Sequence, residues 1–298
     1  MALAILFLAV LQTTPSRAES PYRRVLARAL ERAEKQLLAS ANFDVDHSRW
    51  DDPWIVQTEH YEVRSTKSYS QARSIADGSE LMRGEFVKLL GEGRAGRTGR
   101  QAIWIYPTLS AYKTFGNANG AEHSSFWGSY YASADAALPV ATYDPNNPTQ
   151  LGMWVTHSAV HQFLEQSFGS QRETWVDEGL ASYFALFWDW HYGASELERL
   201  KKARMFVPLE RLVQEPIQAY AEHTHERFIE LGMLFHYLLN SCEVTKNGAG
   251  GDPTTGPFQE FLRAAVRGQD VSGTEFAKSF DEDAALLEQD FKDFDFAK

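Results

Sequence analysis

Two histidines one helical turn apart are the residues in this chain with the clearest chemical potential. His157 and His161 are the first and last residues of the stretch His-Ser-Ala-Val-His. Because about 3.6 residues complete a helical turn, both imidazoles would project from one face and could bind one metal ion at about 2 Å. The spacing alone is weak evidence, since a chain with nine histidines in 298 residues contains such a pair by chance on the order of once in four.

The residues around the pair favour a metal site over two unrelated histidines. The stretch is otherwise apolar, with Trp154 and Phe163 among its members, and two unliganded imidazoles would be costly to bury there. A carboxylate, Glu178, follows His161 by 17 residues, after a Gly169-Ser170 break at which a second helix can return antiparallel. The chain can therefore bring a carboxylate towards the two imidazoles.

The residues around Glu178 also resemble a known motif. The stretch Trp-Val-Asp-Glu-Gly-Leu-Ala-Ser-Tyr-Phe, residues 175–184, together with the histidine pair, is similar to the active-site motifs of gluzincin zinc metallopeptidases. It is most similar to a bacterial branch in which a mixed N-terminal half precedes the His-Glu-x-x-His helix, and the similarity covers roughly residues 59–294. The resemblance implies zinc bound by His157, His161 and Glu178. It further implies that Asp177 accepts a hydrogen bond from a ligand histidine and fixes its tautomer.

The chain departs from this motif at two positions. Where such enzymes carry a glutamate as general base, directly after the first histidine, this chain has Ser158. Serine has no basic group near neutral pH, and loss of general-base assistance costs about 10²–10⁴-fold in rate. Phe228 occupies a position where related proteins often carry a tyrosine whose hydroxyl could stabilise an oxyanion. The sequence therefore predicts a metal site without the standard proton chemistry.

Other polar residues are candidates for the missing groups, with a surface or structural role as the alternative for each. Glu165 lies one turn beyond the histidine pair. Glu122 and His123 lie in a loop of the first half. The other three candidates precede Phe228, and they are Tyr220, His223 and His225. The stretch 127–131 could form an edge strand that binds an extended peptide through its main chain, or an ordinary core hairpin.

The elements that would position these residues predict an α+β fold, with a small mixed sheet and helices in the N-terminal half. Strands are expected at residues 57–65 and 101–106 and twice within 126–143, with helices at 70–90 and 109–115. From residue 150 the pattern is helical and zincin-like. Its helices are expected at 151–168, 173–188, 195–205, 219–240, 258–266, 272–280 and 283–294. The first two carry the histidine pair and Glu178.

Domain organisation follows from these patterns. We expect a signal peptide at 1–18, an N-terminal helical lead-in at 19–56, and one gluzincin-like domain at 57–298, mixed α/β over 57–148 and helical over 149–298. The apolar run at residues 2–11 is too short to span a bilayer and precedes a Ser-Arg-Ala cleavage pattern, which predicts export. A buried N-terminal helix or a misassigned start is the alternative.

Composition narrows the partners and the cysteine chemistry. The formal net charge is −11 with no long basic run, which argues against nucleic acid as a partner. No later apolar stretch reaches transmembrane length. The lone Cys242 excludes an intramolecular disulfide and is expected to be a buried apolar residue more than a nucleophile.

Three hypotheses remain open at this point. The leading one is an exported gluzincin-like protein that has lost peptidase catalysis, retains zinc and binds a peptide or protein. The second is an active zinc hydrolase with a non-standard base, and the third is a structural remnant without metal. The sequence predicts neither the partner nor the oligomeric state.

Overall fold

A computed structural model of the protein describes most of the chain from residue 47 onwards. The described residues are 47, 49–93, 99–118, 129–130, 139–169, 173–214, 224–240, 257–268, 276, 284–294 and 296. The predicted signal peptide and most of the predicted lead-in lie outside this part of the chain, as does Cys242. The predicted domain boundaries and export therefore stay predictions.

The described residues form a mixed sheet followed by helices, which confirms the predicted α+β class. The strands are β1 (Trp54–Gln57), β2 (Tyr61–Ser65), β3 (Gln101–Tyr106), β4 (Ser129–Tyr130) and β5 (Val140–Tyr143). The helices are α1 (Tyr69–Leu90), α2 (Leu109–Ala118), α3 (Pro148–Phe168), α4 (Thr174–Leu186), α5 (Trp190–Ala203), α6 (Leu209–Leu212), α7 (Thr224–Asn240), α8 (Pro257–Ala265) and α9 (Ala284–Asp293). In the described part of the chain, no helix has both the length and the apolarity needed to cross a membrane.

The sheet has the strand order β1-β2-β3-β5-β4. β2, β3 and β5 run parallel, and the outer strands β1 and β4 are antiparallel to their neighbours. The strand predicted over 57–65 covers only Tyr61–Ser65, and it forms a hairpin with β1, which was not predicted. β1 ends at Gln57, Thr58 N–H donates to the Tyr61 carbonyl, and β2 begins at Tyr61.

One face of the sheet supports the helix that carries the histidine pair. Alternate residues of β2 and β3 are buried on this face, including Val63 and Ile103. They pack against α1 and against Leu151 and Val155 of α3 in one apolar cluster. This contact holds the N-terminal half of α3 against the sheet.

The sequence at both ends of α3 explains where this helix begins and ends. Asn147 is the N-cap, and its side chain accepts a hydrogen bond from Gln150 N–H at 3.1 Å. Pro148 follows at the first helical position, where its missing N–H has no cost. Gly169, at φ 86°, ends the helix. The residues between Leu151 and Leu164 are buried on almost every side, so α3 is the central helix of the described fold.

α7 packs closely on the outer side of α4. The contact requires glycine at position 179, because a Cβ added there would lie 2.2 Å from the Phe235 ring. At position 232 a Cβ would lie 3.1 Å from the backbone of Ser182. These two contacts press α4 between α3 and α7.

Gly179→Ala should therefore destabilise the protein. The added methyl group has no space against Phe235, and overpacking a core typically costs about 1–3 kcal/mol. Denaturant unfolding measures this change. Gly84→Ala on α1 is the matched control, since nothing lies within 4 Å of its added Cβ, and a helical glycine-to-alanine change there should stabilise by about 0.5–1 kcal/mol. Equal unfolding free energies for wild type and Gly179→Ala would contradict the close approach of α7.

Candidate metal centre

The structure brings His157, His161 and Glu178 together. α3 carries the two histidines one turn apart, and α4 returns beside it with Glu178 in its first half. The Nε2 atoms of His157 and His161 are 3.2 Å apart. Glu178 Oε2 lies 3.5 Å from His157 Nε2, and Glu178 Oε1 lies 3.7 Å from His161 Nε2. Among the described residues, this is the group of three whose donor atoms could hold one metal ion.

The separations of these donor atoms fit tetrahedral coordination. Two donors bound at about 2.0–2.1 Å with tetrahedral angles lie about 3.3–3.4 Å apart. The separation of the two Nε2 atoms, 3.2 Å, and their distances of 3.5 and 3.7 Å from the two different Glu178 oxygens are near this value. With one ligand atom from each residue, all three atoms lie within 4.8 Å of one another. A metal ion held by three such protein donors retains a fourth position for water or another ligand.

Asp177 sets the orientation of His161. His161 Nδ1–H donates to Asp177 Oδ2 at 2.9 Å. A neutral imidazole that carries its proton on Nδ1 presents a lone pair at Nε2, the atom that faces His157 and Glu178. The adjacent residues Asp177 and Glu178 thus serve different purposes, since one orients an imidazole and the other presents a donor atom.

The protonation states at neutral pH suit metal binding. Burial lowers the pKa of His157, and the opposing hydrogen bond and charge of Glu178 do not cancel this effect. Burial alone would raise the pKa of Glu178, but its interactions with His161 and His157 outweigh burial and hold the pKa below its ordinary value. His157 is therefore neutral and Glu178 ionised, which are the forms that coordinate metals.

The side chains of the three donor residues are largely buried but keep some contact with solvent. Those of His157, His161 and Glu178 are 10%, 19% and 25% exposed. This partial exposure leaves a path for an ion or a small ligand. The low dielectric of the surroundings strengthens each electrostatic contact.

The two positions that depart from the gluzincin motif both lie at or beside this group. Ser158 is buried next to His157 on α3 and offers a hydroxyl that is not ionised near neutral pH. The Phe228 ring, on α7, has its centroid 5.8 Å from that of His157 and is also buried. An aromatic ring therefore covers the side of His157 where a tyrosine hydroxyl was considered from the sequence.

Of the remaining candidate residues, the two that the structure describes do not belong to the group. Glu165 lies one turn beyond His161 on α3, and the metal-donor set does not include it. His225, at the start of α7, contacts other partners, with Nε2 3.0 Å from Glu196 Oε2 and Nδ1 3.5 Å from the Tyr192 hydroxyl. Four candidates lie outside the described residues, namely Glu122, His123, Tyr220 and His223. Of the expected edge strand at 127–131, residues 129 and 130 form β4 and the others are likewise outside.

Sequence reasoning missed the contacts that hold the group in place. In the sequence, Gly179 is only one residue of the motif. The structure gives the physical reason for glycine there, because the Phe235 ring occupies the space that a side chain would need. A hydrogen bond from Trp188 Nε1–H to Thr156 Oγ1, 2.7 Å long, joins residues 32 positions apart. No local pattern in the sequence indicates such a pair.

Comparison with known proteins does not assign this chain to a family. No protein-family model matches the chain, and a search of curated proteins finds no match. The gluzincin resemblance therefore rests on the motif residues and on the geometry of the group they form.

Asp177→Ala should weaken metal binding. The substitution removes the acceptor that holds His161 in the Nδ1–H tautomer, and loss of such a partner typically costs about 10–100-fold in metal affinity. Competition with a chromophoric chelator measures the dissociation constant. Glu173→Ala is the control, because Glu173 precedes α4, is exposed and makes no capping hydrogen bond with its side chain. An unchanged dissociation constant for Asp177→Ala would show that Asp177 does not orient the ligand.

Proposed function

We propose that this protein is a gluzincin-like zinc-binding protein that has lost standard peptidase catalysis and uses the former active-site cleft to bind a peptide or protein. His157, His161 and Glu178 would hold the ion. Zinc would supply a Lewis-acidic position at which a ligand carbonyl or water can bind. The roles of the other residues follow from their contacts.

The observation that carries the proposal is the set of donor separations. The Nε2 atoms of the two imidazoles lie 3.2 Å apart, and they lie 3.5 and 3.7 Å from the two oxygens of the Glu178 carboxylate, which is close to the spacing that four-coordinate zinc sets between its ligand atoms. Nitrogen and oxygen donors of this kind suit zinc, and the donor set of two histidines and one glutamate leaves one position open.

The absence of a proton shuttle supports the loss of catalysis. A zinc peptidase needs a base that takes a proton from the attacking water and delivers it to the leaving amine. Ser158 cannot do so, and the Phe228 ring beside His157 has no hydroxyl with which to stabilise an oxyanion. Within the described chain, the donor group contains no further carboxylate that could replace the base.

The sheet edge supports a peptide as the ligand. β4 pairs with β5 on one side only, and no described strand pairs with its other side. β4 also contacts α3, the helix that carries both histidines. An extended peptide can add to such an edge through main-chain hydrogen bonds.

Metal analysis tests the first part of the proposal. Purified protein should contain about one equivalent of zinc, and Glu178→Ala should reduce this content because only two donors remain. His191→Ala, an exposed histidine of α5, is the control and should retain the metal. Less than about a tenth of an equivalent in wild type after zinc loading would favour the metal-free remnant.

A peptidase assay with Ser158→Glu tests the second part. Zinc-loaded wild type should not cleave a broad peptide library, because general-base assistance worth about 10²–10⁴-fold is missing. Cleavage by the variant alone would show that Ser158 is the cause of the lost peptidase activity. It would also show that Phe228 is compatible with that activity. Cleavage by wild type at a rate that the variant does not exceed would instead establish an active hydrolase with a non-standard base.

Export is a further part of the proposal and rests on the apolar run at residues 2–11 and the Ser-Arg-Ala sequence after it. N-terminal sequencing of the protein recovered outside the cytoplasm should begin at Glu19. Recovery of the full-length chain in the cytoplasm would contradict export.

A further inference from the structure

We infer that Trp188, acting through Thr156, is a positioning residue for the metal centre, because it sets the register of α4 on α3 and thereby the distance from Glu178 to the two histidines. This inference rests on the proposed zinc site. It assigns a role to Trp188, which follows the end of α4, and to Thr156 on α3, neither of which belongs to the donor group.

The three donors differ in what fixes their positions. His157 and His161 both belong to α3, so the geometry of one helix sets the distance between them. Glu178 belongs to α4, as does Asp177, which orients His161. Whether all three donors converge therefore depends on how α4 lies along α3.

Trp188 provides a directional contact between these two helices. It follows the last turn of α4. Its indole ring packs directly on Gly152 of α3, where an added Cβ would be 2.2 Å from the ring. Gly78 of α1 borders the same ring, with an added Cβ 3.2 Å away. The same side chain donates a hydrogen bond from Nε1–H to Thr156 Oγ1 of α3, at 2.7 Å.

Thr156 belongs to the same helix as the two histidines. It is buried and immediately precedes His157 on α3. A hydroxyl group accepts the indole proton from a narrow range of directions, so the bond restricts sliding and rotation of α4 as well as separation. Apolar packing alone restricts separation more than sliding, because it is not directional.

Because of the length of α4, a small movement at its C-terminal end, beside Trp188, changes the position of Glu178. Trp188 follows Glu178 by ten residues, about 15 Å along a helix, so a tilt of about 4° moves the far end by about 1 Å. Metal–ligand distances tolerate only about 0.2 Å. A loosened Trp188 contact would thus strain or break the bond from Glu178 to the metal while leaving the histidine pair intact.

Zinc affinity and the absorption spectrum of bound Co²⁺ test this role in the full-length protein. Thr156→Val replaces the hydroxyl with a methyl group of similar size, and Trp188→Phe removes the indole N–H together with part of the ring system. Each should weaken zinc binding about tenfold in chelator competition. Each should also alter the Co²⁺ d–d bands, which report coordination geometry. Thr156→Ser, which retains the hydroxyl, should bind zinc within about twofold of wild type. Thr156→Val carries the test if Trp188→Phe does not fold.

A purely structural role would give a different result. In that case, Thr156→Val would lower the melting temperature of the metal-free protein and leave both the zinc dissociation constant and the Co²⁺ spectrum unchanged, which would overturn the inference alone. Absence of metal binding by wild type would overturn the proposed function together with the inference. Trp104→Phe, on β3, is the matched control. It should leave zinc affinity and the Co²⁺ spectrum unchanged because Trp104 packs against Trp50, which precedes β1, and against Phe115 of α2.

Discussion

The antiparallel contact between α3 and α4 is the constraint on which the rest of the site depends. α3 is held by the sheet through Leu151 and Val155, and it presents both histidines on one face. α4 supplies Asp177 and Glu178 and is pressed onto α3 by α7, whose Phe235 ring fills the space that a side chain at position 179 would need. The sheet, α3, α4 and α7 thus form a series in which each layer positions the next.

Much of the fold could be predicted because local signals mark its elements. β3 was predicted at its observed bounds, since a glycine-rich loop precedes it and Pro107 follows it. α3 begins three residues before the predicted start at residue 151, because Asn147 is an N-cap and Pro148 takes the first helical position. The β1–β2 hairpin was missed since Thr58-Glu59-His60 contains neither glycine nor proline, the residues that usually indicate a turn.

The candidate site was predictable to a different degree at each residue. The proximity of His157 and His161 follows from helix periodicity alone, whereas the approach of Glu178 depends on a register between helices that no local pattern encodes. The motif around Glu178 carried this information only through resemblance. The position of Phe228 beside His157 depends on the packing of α7 as a whole, and a generic helix pattern was a weak guide to it.

The pairing of Asp177 with Glu178 has a consequence for what a loaded site would attract. Two carboxylates, one in contact with the ion and one behind His161, balance the two positive charges of a divalent metal, so the loaded centre would carry no net charge. The surrounding protein is acidic, with a formal net charge of −11, and repels anions at long range. Charge balance, in addition to shape, would therefore be among the properties that select the ligand of a loaded centre.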